Sequence, residues 1–159
     1  MITIQELTQD DWTLWRALRL AALADAPDAF GANLLEWTGE GDAEARWRSR
    51  LITVPFNVIG VIDGRASGMS SGTEPVEGVV WLMSMWVDPR FRSCGVGDAL
   101  VDAVVRWAKD QGAGTVALNV RQSNERAIAF YHRNGFSDDG WSSEPGAVKP
   151  EMRMVRQVP

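Results

Sequence analysis

Hydrophobic residues in this chain recur in two rhythms, and the switches between them mark out its elements. "ITIQEL" at residues 2–7 alternates and predicts a short strand. "TQDDWTLWRALRLAALADAP" then sets Trp15, Leu18 and Ala22 on one helical face, with Thr8 as N-cap, Asp10 and Asp11 in the first turn and Pro27 as the stop. "GDAEARWRSRLI" predicts a shorter helix opened by Asp42, and "FNVIGVI" with the segment after Asp63-Gly64 predicts a hairpin. "EGVVWLMSMWV", residues 77–87, is apolar at both parities, which predicts a central strand covered on both faces. "GDALVDAVVRWAKDQGAG" is an amphipathic helix that buries Leu100, Val101, Val104, Val105 and Ala108, with Gly112 in the left-handed position beyond its end. "TVALNV" predicts a strand, "SNERAIAFYHRNG" a helix capped by Ser123 or Asn124, and the alternating "PEMRMVRQ" a last strand. Strands alternating with helices predict one α/β (α+β) domain, residues 1–159, around a single sheet.

Composition narrows the function classes. A net charge of −5 argues against a general nucleic-acid binder. No apolar run approaches the ~18 residues of a membrane span, and the N-terminus lacks a secretory pattern, so no membrane partner and a cytoplasmic location are expected. One cysteine excludes an internal disulfide, and one histidine beside it argues against a structural zinc site, so no metal is expected. Asp10, Asp11, Asp25, Asp28, Glu36, Glu40, Asp42 and Glu44 cluster early in the chain. They read either as a solvated face or as a mouth that attracts a cationic amine.

Candidate chemistry sits in "VDPRFRSCGVGDAL", between the central strand and the following helix. Two glycines flank Val96 where that helix begins, so backbone N–H groups can approach a phosphate without a side chain in the way. Leu100 stands where a dinucleotide fingerprint needs its third glycine, and no Gly-Lys-Ser or Gly-Lys-Thr occurs. Both nucleotide readings therefore fail, leaving a glycine-eased turn or another phosphate ligand. The loop resembles the pyrophosphate loop of the GCN5-related N-acetyltransferase (GNAT) family through Val87, Pro89, Arg92, Gly95 and Gly97. "NERAIAFYHRNGF" resembles that family's second signature through Asn124, Ala127, Tyr131, Gly135 and Phe136. The likeness is clearest from residue 77 to 137 and extends to ribosomal-protein N-terminal acetyltransferases.

The resemblance implies a GNAT fold, with a mixed, mostly antiparallel sheet, helices on both faces and a V-shaped acetyl-CoA cleft. It implies acetyl transfer to a primary amine, whether small amine, amino acid or peptide N-terminus, by direct attack in a ternary complex. By the same resemblance, backbone groups of Met85, Trp86 and Val87 hold the acetyl carbonyl and pantetheine, and the Met85 N–H faces the developing oxyanion. Arg92, Ser93, Cys94, Gly95, Val96, Gly97 and Asp98 form the pyrophosphate loop, with Cys94 acting through its backbone. Asn124 contacts the pantetheine region, and Tyr131, the only tyrosine, donates a hydrogen bond and a proton to the departing sulfur. The family's usual carboxylate positions hold Trp81 and Asn119, which are not bases. That leaves open a non-catalytic CoA-binding module of the same fold. Trp37, in an irregular segment, is a candidate to hold a cationic acceptor over its indole. A homodimer through an edge formed by the tail strand is also left open.

Overall fold

Asp63 (φ 49°) and Gly64 (φ 77°) both lie in the left-handed region, the backbone of a type I′ turn whose twist matches the strands it joins. They connect β2 (Phe56–Ile62) to β3 (Arg65–Gly72). Glu77 (φ 51°) and Gly78 (φ 76°) repeat the pattern just before β4 (Val79–Val87), so the turn takes two residues assigned to the strand by its apolar pattern. The computed structural model describes residues 1–27, 29 and 33–159. Its other elements are β1 (Ile2–Glu6), α1 (Trp12–Asp25), α2 (Glu44–Thr53), α3 (Val96–Asp110), β5 (Thr115–Arg121), α4 (Glu125–Arg133), β6 (Ser137–Trp141) and β7 (Glu151–Gln157). The strands form one seven-stranded sheet in the order β1-β2-β3-β4-β5-β7-β6, parallel only between β4 and β5. No helix among the described residues is long and apolar enough to cross a membrane.

Alternation along β2 divides the core. Val58 packs with α3 and α4, while its neighbour Ile59 packs with α1 and α2, so the two helix pairs cover opposite faces. Thr8 caps the 3-10 turn that leads into α1, and Trp15, Leu18 and Ala22 are buried on that helix as their spacing predicts. Asp42 does not open α2. Ala43 is the residue before that helix, and Asp42 instead binds Arg16 of α1 through two hydrogen bonds and accepts a third from the Trp47 indole. A carboxylate with a guanidinium fork in reach gains more from it than from a backbone cap.

Two irregularities in β4 shape the molecule. Met69 pairs with Trp86 and Ser71 with Met83, so β4 uses three residue steps where β3 uses two. The extra residue is a bulge, and it holds Ser84 at φ 54°. The bulge reverses the strand's alternation: Val80 and Leu82, then Met85 and Val87, pack with α3, while Trp86 packs with α1 and α2. Apolar residues at both parities therefore reflect the bulge more than double coverage, and Met83 is left 42% exposed.

The second irregularity is a splay. β4 pairs with β5 only from Val79 to Trp81, yet β5 continues along β7 as far as Arg121. Beyond Trp81 the two halves of the sheet separate. The tail strand β7 lies between β5 and β6, so it offers no free edge for a dimer; β1 and β6 are the edge strands. β6 has no buried residue and carries Asp138, Asp139 and Gly140, a composition without the apolar alternation that marks a strand.

A glycine lets β3 approach the bulged strand. A Cβ on Gly68 would stand 2.7 Å from the Trp86 carbonyl oxygen and 3.0 Å from Leu100 Cδ1. Gly68→Ala is expected to lower the unfolding free energy by about 1–3 kcal/mol. In urea titrations this reads as a lower midpoint at unchanged slope, and an unchanged midpoint would show that β3 and β4 yield without cost.

Candidate active site

The splay opens a cleft of about 830 Å³ between the C-terminal half of β4 and helix α4. Met85, Trp86 and Val87 line one wall, and Arg92, Ser93, Gly95, Gly97 and Asp98 line the end toward α3. Asn124 and Tyr131 line the α4 wall. Two of the predicted loop residues stay out of it: Cys94 is exposed to solvent, and the Val96 side chain is wholly buried against Gly60. Whatever those two offer the cleft comes from their backbone.

The loop's geometry follows from its residues. Ser93 (φ 64°) and Gly95 (φ 90°) are both left-handed, and Gly95 is the residue immediately before α3. Left-handed residues next to a helix start form the concavities in which successive N–H groups receive anions. At Gly97 a Cβ would come within 2.8 Å of Phe130 Cε1, so glycine lets α3 begin against α4 at the floor of the cleft. The Arg92 Nε donates to the Val87 carbonyl at 3.1 Å, and its Nη2 to Asp25 Oδ2 at 2.9 Å. The same Asp25 oxygen accepts from the Trp86 indole at 3.0 Å. One carboxylate at the end of α1 thus ties the glycine loop to β4.

Tyr131 is buried edge-on against Phe130 and Phe136, with centroids 5.3 and 5.7 Å away. Its ring fills the core while its residue lines the cleft, and no group among the described residues takes its hydroxyl. Burial pushes the phenol above its ordinary pKa. Outright transfer of its proton to a sulfur therefore costs more than solution pKa values indicate. Asn124 caps α4, accepting from the Ala127 N–H at 3.2 Å, so its amide nitrogen is the end left to face the cleft. His132 is half-exposed and bound to Asp138 at 2.8 Å, away from this site.

Sequence reasoning missed Asp25, Ala26 and Ala29, which enter from the end of α1, and Arg126, Phe130 and Arg133 on α4. The α4 residues had a signal: they recur at i, i+4 and i+7 on the motif's own helix. Asp25 had none, because only the fold brings it to a loop more than 60 residues away.

The residues expected to hold a cationic acceptor are also engaged elsewhere. Trp37 is not free to hold a cation, since the Arg46 guanidinium already lies 3.8 Å above it and Trp47 packs on it at 4.5 Å. The early carboxylates are largely consumed within the fold. Asp42 is held down to about 2 by Arg16 and Trp47, Asp10 and Glu44 bind Arg48, and Asp11 closes the capping box at Thr8. Asp28 lies outside the described residues. Among the described cleft residues the carboxylates are Asp25 and Asp98, and Asp98 is bound by Arg133 and Asn134.

Known proteins are similar to this chain in sequence and fold. An aminoglycoside N(6')-acetyltransferase type 1 of Stenotrophomonas maltophilia is 28% identical over 147 residues, 86% of each chain. The ribosomal protein bS18 alanine N-acetyltransferase of Escherichia coli is 37% identical over 57 residues, 36% of this chain and 38% of that one. Other curated relatives are matched over only 16–50% of their own length. The PaiA N-acetyltransferase of Thermoplasma acidophilum, solved in complex with coenzyme A, superposes with a TM-score of 0.77 over 99% of both chains at 14% identity. The model of the acetyltransferase (GNAT) family matches residues 5–136, spanning both motifs and every element from β2 to α4, and this chain belongs to that family.

Proposed function

We propose that the protein transfers the acetyl group of acetyl-CoA to a primary amine by direct attack in a ternary complex. The observation that carries this reading is the splay of β4 from β5, which leaves a strand edge open beside the glycine loop. An extended pantetheine arm can add to that edge as another strand would, within reach of the Met85, Trp86 and Val87 backbone and the Asn124 amide. The pyrophosphate falls to the main-chain N–H groups from Ser93 to Asp98.

In the reaction, the amine nitrogen attacks the thioester carbonyl carbon and the carbonyl electron pair moves onto oxygen, which the Met85 N–H receives. Collapse restores the carbonyl, breaks the C–S bond and leaves its pair on sulfur, where the Tyr131 hydroxyl donates a hydrogen bond. The amine's proton leaves to solvent and the sulfur takes one up, so amine and acetyl-CoA become amide and CoA. With Asp25 and Asp98 engaged and Trp81 and Asn119 in place of carboxylates, the amine arrives already neutral.

Tyr131→Phe is expected to keep acetyl-CoA affinity while thiol release falls about tenfold or more. An unchanged rate would return Tyr131 to a packing role. Acetyl-CoA binding with no turnover, across a panel of polyamines, aminoglycosides, amino acids and short peptides, would favour the non-catalytic module. The pH profile supplies a separate check. kcat/KM should rise as the acceptor deprotonates, toward about pH 8 for an α-amine or about pH 10 for a side-chain amine. Because burial raises the Tyr131 pKa, its acid form persists upward in pH, and no descending limb should appear below pH 10. A fall in that range that Tyr131→Phe abolishes would contradict the assignment.

A further inference from the structure

Arg50, in the last turn of α2, is a cation enclosed by neutral partners. Its Nη1 donates to Asn57 Oδ1 at 2.9 Å, and its Nη2 to Ser71 Oγ at 3.2 Å and Ser84 Oγ at 3.1 Å. Its guanidinium lies 5.0 Å from the Trp15 ring. Asn57 and Ser71 are wholly buried and bonded to each other, so the guanidinium is held in one orientation. No carboxylate among the described residues forms an ion pair with Arg50, although the protein carries an excess of acidic residues. Burial, followed by repulsion from Arg19 of α1, lowers the Arg50 pKa to about 10. A desolvated charge without a counter-ion is costly, and neutral oxygens alone offset it poorly.

Its position gives the cost a use. Ser84 is the bulge residue and precedes Met85, about 3.8 Å away at Cα. On this face β4 is open, with Met83 exposed and Trp81 partly so. We propose that Arg50 receives the carboxylate of the acceptor, so that the acceptor is an amino acid whose amine lies by Met85 and whose carboxylate lies on the guanidinium. The inference rests on the acetyl-transfer reading and narrows its acceptor. The guanidinium supplies the opposite charge, and its remaining Nη1 and Nε hydrogens can each donate to a carboxylate oxygen. Arg50 binds and positions; it takes no part in bond making.

Binding separates this inference from turnover. Isothermal titration of the protein saturated with CoA should compare each amino acid with its amide and its decarboxylated amine, with a polyamine and an aminoglycoside included. At least one amino acid should bind about 10–100-fold more tightly than its two carboxylate-free partners. Arg50→Gln, checked by retained CoA binding, should erase that difference, and Arg50→Lys should restore part of it. If these variants do not fold, the ligand series on the wild-type protein decides alone. Carboxylate-selective binding without thiol release would support the inference while sinking acetyl transfer. Equal or tighter binding of the decarboxylated amines, no binding by any amino acid, or selectivity that survives Arg50→Gln would overturn it. In those cases, turnover of carboxylate-free amines would leave acetyl transfer standing.

Discussion

One extra residue in β4 governs the architecture. The bulge at Ser84 reverses the strand's facing, so that Met85 and Val87 turn to the α3 core and the Trp86 indole turns to α1. Past Trp81 the strand is lost to β5 but kept by β3, where Gly68 allows the close approach. A parallel strand pair that separates in this way exposes backbone donors and acceptors that an ordinary sheet would have paired. The cleft, its open edge and its position beside the α3 N-terminus all descend from that local departure from regular pairing.

Charge placement is the second theme. Three of the early carboxylates, Asp42, Asp10 and Asp25, serve arginines on neighbouring elements, tying α1 to α2 and to the glycine loop. The acidic balance is therefore largely structural, and the negative mouth suggested by composition is not assembled. The cleft instead gathers Arg92 and Arg133, paired with Asp25 and Asp98, together with Arg126, and Arg50 sits behind the bulge. Local cations matter more than the net charge here because low-dielectric surroundings amplify nearby charges, while salt screens distant ones.

The sequence made elements legible where periodicity was strong. The buried stripe of α3, the turn at Asp63-Gly64 and the glycine positions at 95, 112 and 135 were all readable before the fold. β6 was not, because an edge strand with no buried residue leaves no apolar rhythm. The bulge was partly visible as apolar residues at both parities, but a strand covered on both faces gives the same pattern. Both motifs converge on the cleft, since each keeps its residues within one loop or one helix. Asp25, Arg50 and the Arg46–Trp37 contact were hidden because each depends on elements meeting across the fold.

Amide hydrogen exchange with and without saturating acetyl-CoA tests most directly whether the open β4 edge and the glycine loop are the donor site. The account predicts slowed exchange at amides from Met85 to Val87 and from Gly95 to Asp98, with β6 unchanged. Unaltered exchange in both segments, with protection elsewhere on the protein, would contradict it.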